Sequence, residues 1–166
     1  FELKGKTALI TGAAKRIGRA IALELAGQGV SVVLHYNSSE ASARDLLDEV
    51  KRLGGQGWLV QADLANPSDV EALMPRALEL AGEIALLVNN AAMFPANGVL
   101  DFGLDEFDRV VRVNALAPLL LCRAFADQRD ADVIINLLDT RIASSDPRHA
   151  AYYLSKKLLT ELTRML

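Results

Sequence analysis

Cysteine and histidine are scarce in this sequence, and it has no long apolar run and no excess of basic charge. Its single cysteine, Cys122, cannot close an internal disulfide, and its apolar neighbours mark it as a small buried hydrophobe of a reducing compartment. No His, Cys or carboxylate cluster has metal-ligand spacing, so no metal is expected. The longest uncharged apolar run, Ala115 to Cys122, is eight residues, contains Pro118 and is too short to span a bilayer. Lys and Arg total 18 against 21 Asp and Glu, a net charge of −3, which offers no field to hold nucleic acid. Charges within residues 1–6 interrupt the apolar stretch that a signal peptide needs, so a cytoplasmic location with no membrane partner is expected. With 51% hydrophobic and 23% charged residues, disorder is excluded. The 166 residues fit one domain, 1–166.

Short apolar runs alternate with helical patterns along the chain. Strands are expected at Thr7–Thr11, Val30–Tyr36, Trp58–Val60, Ile84–Val88 and Val133–Leu138. Between them, Ile17, Ala20, Ile21 and Leu25 share one helix face, and Ala43, Leu46, Leu47, Val50 and Leu53 another. A third helix starts at Asn66-Pro67, with Asn as the cap and Pro in the first turn, and Pro75 within it predicts a kink. The β-α alternation predicts an α/β fold with a doubly wound parallel sheet of Rossmann type.

The first strand runs into Thr11-Gly12-Ala13-Ala14-Lys15-Arg16-Ile17-Gly18, followed directly by a helix. A helix N-terminus offers unpaired N–H groups and partial positive charge, a natural seat for a pyrophosphate. Tight turns also use glycine without a ligand, and it is the strand-before, helix-after context that favours phosphate binding. The second strand closes His35-Tyr36-Asn37-Ser38-Ser39, with no acid before Glu40. A carboxylate there would repel a ribose 2′-phosphate; its absence, with Lys15 and Arg16 in the turn, points to NADP(H).

Taken together, these residues resemble the short-chain dehydrogenase/reductase family over nearly the whole chain. Thr11-Gly12 through Gly18 is similar to its cofactor turn, and Asp63-Leu64 falls where its adenine-contacting Asp lies. Asn89-Asn90-Ala91-Ala92 is similar to its Asn-Asn-Ala-Gly, with Ala92 for glycine. Tyr152 and Lys156 match its Tyr-x-x-x-Lys pair; Tyr153 and Lys157 share the spacing, but Ser155-Lys156 fits the family register. The family's catalytic serine lies thirteen residues before that tyrosine, and here the position holds Asp139. This aspartate, the Lys-Arg turn and the His-Tyr sequence closing the second strand resemble the pteridine reductase branch. Phe94 matches that branch's pterin-stacking aromatic, whereas Ser38 stands where it tends to carry arginine. The resemblance implies Asn114, Asp139, Tyr152 and Lys156 as catalytic residues, and Arg16, Phe94, Asp139 and Tyr152 as substrate contacts. It implies cofactor contacts at Gly12, Lys15, Arg16, Ile17 and Gly18, at His35, Tyr36, Asn37, Ser38 and Ser39, and at Asp63, Leu64, Asn90, Ala91, Ala92, Tyr152 and Lys156.

The residue types suit reduction of C=O or C=N by a nicotinamide, which leaves a heteroatom needing a proton. Tyr152 and Lys156 share one helix face, and a nearby ammonium is expected to favour the phenolate. Asp139 as a carboxylate accepts hydrogen bonds from Tyr152 or a pterin amino group, and as a neutral acid it donates one; in place of an uncharged serine donor, it suits a nitrogen-rich substrate better than a simple ketone. Pro118 brings no N–H to the carbonyl of Asn114, four residues back, so that carbonyl is free for a proton relay such as the family uses. The expected function is an NADPH-dependent reductase of pteridines, with a carbonyl or 3-oxoacyl reductase, or a catalytically silent cofactor-binding protein, as alternatives. Partners are a small-molecule substrate and a second copy in a dimer or tetramer. The family's further strands and substrate loop make 1–166 an expected C-terminally incomplete Rossmann domain.

Overall fold

The structure, a computed structural model, describes residues 2–129, 131–144 and 146–166. Its strands are β1 (Thr7–Ile10), β2 (Ser31–Tyr36), β3 (Gly57–Gln61), β4 (Leu86–Asn89) and β5 (Val133–Asn136). They pair in parallel in the order β3-β2-β1-β4-β5, so the chain reverses its winding between β1 and β4. The carboxyl ends on either side of that switch form the crevice where doubly wound sheets bind ligands. β5 stops at Asn136, two residues before the expected Leu138.

Helices cover both faces. On one side Leu9, Val33, Val60 and Leu87 pack with residues of α3 (Pro67–Ala81) and α5 (Ala117–Ala126). On the other, Ala8, Ile10, Val32, Leu34, Leu86 and Val88 pack with α1 (Arg16–Gly27) and α2 (Glu40–Arg52). Alternate residues of each central strand therefore serve opposite cores, which is why these strands read as unbroken apolar runs. Burying each leucine contributes about 1.5–3 kcal/mol. Ser68 N donates to Asn66 Oδ1 at 3.1 Å, as the Asn-Pro start predicts, and α3 continues past Pro75 to Ala81.

Between β4 and β5 the chain is less regular than its sequence suggests. α4 (Leu104–Val111) passes into a π-helical turn at Arg112–Leu116 and then into α5. After β5 a 3₁₀ turn (Thr140–Ala143) leads towards α6 (Ala150–Met165). No described helix is long and apolar enough to cross a membrane.

Candidate active site

The turn after β1 is locked from three directions. Asn90 Nδ2 donates to the carbonyls of Thr11 (2.8 Å) and Gly12 (3.1 Å), while Thr11 Oγ1 accepts from Asn90 N and Ala91 N at 3.0 Å. His35 supplies the third hold: Gly12 N donates to its Nδ1 at 3.0 Å, and Ala13 N to its carbonyl at 2.9 Å. Gly12 has φ +62°, and Arg16, though not a glycine, is held at φ +52°. A Cβ on Gly18 would collide with the Gly12 carbonyl oxygen and lie 2.5 Å from Asn90 Nδ2. The N-terminus of α1 has no side-chain cap and no acid in its first turn. Its N–H groups are therefore open to an anion, as a dinucleotide pyrophosphate requires.

A cleft of about 760 Å³ runs from this turn to α6. Gly12, Lys15, Arg16, Ile17 and Gly18 line its phosphate end. His35, Asn37, Asp63 and Leu64 line it, as do Asn90, Ala91 and Ala92, whereas Tyr36, Ser38, Ser39 and Lys156 do not. Both ring nitrogens of His35 are spent inside the protein, so it has no polar ring atom for a nucleotide. Asp63 carries a partner that the sequence does not announce: Arg109 Nη2 reaches its Oδ2 at 3.1 Å, tying α4 to the end of β3 beside the cleft.

At the other end Tyr152 Oη donates to Asp139 Oδ2 at 2.6 Å, and Arg141 N donates to Asp139 Oδ1 at 2.8 Å. Asp139 thus caps the 3₁₀ turn and holds the phenol with one carboxylate. The hydrogen bond from Tyr152, then that from Arg141, keeps the carboxyl below its ordinary range. Burial, and then the Asp139 carboxylate, raise the Tyr152 phenol. This corrects the expectation of an ammonium-favoured phenolate. Lys156 Nζ lies 5.9 Å from the Tyr152 ring centroid and donates to the Leu137 carbonyl at 2.7 Å. Burial pushes Lys156 down to about 8 against a smaller opposing pull from Asp139. Tyr153 and Lys157 pair elsewhere, with Nζ 5.6 Å from the ring, and only Tyr152 of the two tyrosines lines the cleft.

Asn114 is fully buried within the π-helical turn. Its Oδ1 accepts from Met93 N (2.8 Å), and its Nδ2 donates to Met93 O and to Ser155 Oγ, each at 2.9 Å. The side chain therefore joins the loop after β4 to α6, and the carbonyl is the atom that Pro118 deprives of an α-helical donor.

Phe94 meets the cleft half-exposed, with its ring already stacked on His149 (centroids 4.2 Å apart, 14° between planes). It also packs edge-on against Tyr152 at 4.5 Å, and the Arg141 guanidinium sits 4.9 Å from its centroid. Asp146 Oδ2 receives both Arg141 Nη1 (3.2 Å) and His149 Nδ1 (3.0 Å). His149 thus belongs to the same cluster as Asp146, Arg141 and Phe94. Among the described residues no group of three or more His, Cys, Asp or Glu could hold a metal ion.

A parallel sheet with an uncapped helix N-terminus at its switch point defines a nucleotide-binding domain of Rossmann type. The short chain dehydrogenase family model matches residues 6–166, and the chain belongs to that family. Versicolorin reductase of Emericella nidulans is 36% identical over 168 residues, covering 100% of this chain and 64% of its own. This chain thus spans less than two thirds of that relative's length. Angucycline C-6 ketoreductase LanV, solved with bound NADP, is 34% identical with a TM-score of 0.89, over 97% of this chain and 65% of its own. FolM alternative dihydrofolate reductase 1 from Brucella canis, complexed with NADP, is 33% identical with a TM-score of 0.91, over 99% and 68%.

Proposed function

We propose that the protein is an NADP(H)-dependent reductase of a flat, nitrogen-bearing ring of the dihydropteridine class, with Tyr152 as the proton donor. The bound cofactor supplies the hydride. The turn around Gly12 and Gly18 fits its pyrophosphate, and Lys15 and Arg16, with Asn37 in place of an acid, fit a 2′-phosphate. Lys156 would hold the nicotinamide ribose. Copies would associate through the helices around Asn114 and Lys156, where Leu116, Leu154 and Leu158 are exposed.

One observation carries the substrate reading: the 2.6 Å bond from Tyr152 Oη to Asp139 Oδ2. A serine could donate to a ketone oxygen, whereas the Asp139 carboxylate only accepts. It suits the amino and ring N–H groups of a pteridine, and it keeps Tyr152 protonated as the donor. The FolM likeness supports this reading. A second reading, reduction of a fused-ring ketone, draws on the versicolorin reductase and LanV likenesses. NADPH oxidation by the full-length protein with dihydrobiopterin, dihydrofolate and fused-ring ketones decides between them. Turnover confined to the ketones would overturn the first reading, and none with any of them would overturn both.

A further inference from the structure

His35 ends the buried part of β2, 2% exposed, with its ring between the first and third strand-to-helix turns. Gly12 N can only donate, so Nδ1, at 3.0 Å, must carry a lone pair. The Ala62 carbonyl can only accept, so Nε2, at 3.1 Å, must carry the proton. Geometry thus selects one neutral tautomer. The same residue's carbonyl accepts from Ala13 N at 2.9 Å, so His35 holds two successive N–H groups of the phosphate turn. Its ring reaches across to Ala62, whose next residues, Asp63 and Leu64, line the cleft.

From this we infer that His35 is a positioning residue for the cofactor: its imidazole is a strut that fixes the phosphate turn in register with the Asp63 turn. It does so with no polar ring atom left for the nucleotide. With Gly12 N spent on the strut, the pyrophosphate is left to the N–H groups at the start of α1. This inference rests on the reading of the cleft as a dinucleotide site. A phenylalanine at position 35 fills the space but neither accepts nor donates, whereas an asparagine can place Oδ1 near the Nδ1 position.

The test has two arms in the full-length protein. Without cofactor, a long-range ¹H–¹⁵N spectrum of the histidines should show His35 Nδ1 unprotonated and Nε2 protonated at neutral pH; the reverse pattern overturns the strut whatever the cleft binds. In NADPH fluorescence titrations, His35→Phe should weaken binding by about tenfold, the scale of one lost buried hydrogen bond, with the substrate KM within about twofold. His35→Asn should recover most of that loss. A cooperatively melting His35→Phe that binds NADPH like the parent overturns the inference, as does a His35→Asn no better than His35→Phe. If the parent shows the expected tautomer but binds no NADPH, the dinucleotide reading fails and the strut stands as a feature of the turn.

Discussion

Tyr152 and Asp139, thirteen residues apart in sequence, share a hydrogen bond of 2.6 Å with the phenol as donor. The carboxylate is below its ordinary range and the phenol above its own, so each partner stabilises the other's resting state. In the proposed reduction the phenol must release this bond to turn its proton towards the substrate, and its raised pKa makes it a weaker acid than one poised near the working pH.

Replacing the donor should separate chemistry from binding. Tyr152→Phe removes the proton and keeps the ring that packs edge-on against Phe94. We expect turnover to fall by about 10²-fold or more, the usual scale of a positioned general acid, with NADPH affinity within about threefold. Stopped-flow single turnovers beside cofactor titrations measure both quantities.

Removing the carboxylate's charge should change the pH profile. In Asp139→Asn the phenol loses the charge that raises it, and Lys156 loses the charge that supports its ammonium. Both groups then deprotonate at lower pH. Reduction needs the protonated phenol, so the alkaline limb of kcat/KM for the variant should move to lower pH by about one unit, as loss of an adjacent charge does. An alkaline limb that stays in place would assign it to another group.

Arg16 holds a left-handed backbone conformation, φ +52°, that a non-glycine residue adopts at a cost of about 1 kcal/mol. Arg16→Gly should raise Tm by about 2 °C while weakening NADPH by about tenfold, through loss of a charged contact to phosphate. Calorimetry and titration on the same preparation test whether strain and binding trade in that direction.

His35 ties stability to pH. Burial lowers its pKa from 6.5 to about 4, against a weaker upward pull from its bond to Ala62. Its contribution is therefore complete above 6.5 and is lost as pH falls towards 4, because the unfolded chain binds the proton first. Between pH 7.5 and 4.5 the loss should be about 2.5 kcal/mol, and urea unfolding of His35→Phe should lack that part of the slope.

The sheet, the phosphate turn and the Tyr152–Lys156 face are legible in the sequence because each follows a local period or a fixed spacing. Asp139 is legible only through the family resemblance, which marks the position thirteen residues before Tyr152. What was hidden depends on partners far apart in the chain. Arg109 meets Asp63 across 46 positions, and Asn114 meets Ser155 across 41. The π-helical turn at Arg112–Leu116 leaves only one trace, Pro118, since one widened turn barely alters a helical hydropathy pattern. Phe94 looks available for stacking until His149 and Arg141, both gathered by Asp146, are found against it.

Asn114 also bears on how this end of the molecule breathes. Its amide holds Met93 on one side and Ser155 on the other, and Ser155 Oγ in turn donates to the Tyr152 carbonyl at 2.7 Å. Local opening of the loop after β4 must break the same bonds that hold the first turns of α6. The loop, the widened turn and the tyrosine-bearing turn are therefore expected to open as one unit, with amides that exchange together in a native-state hydrogen-exchange experiment. Under the proposed function, a bulkier substrate that loosened the loop would disturb Tyr152 as well, so tolerance for substrate size and catalytic competence would be bound to one opening free energy.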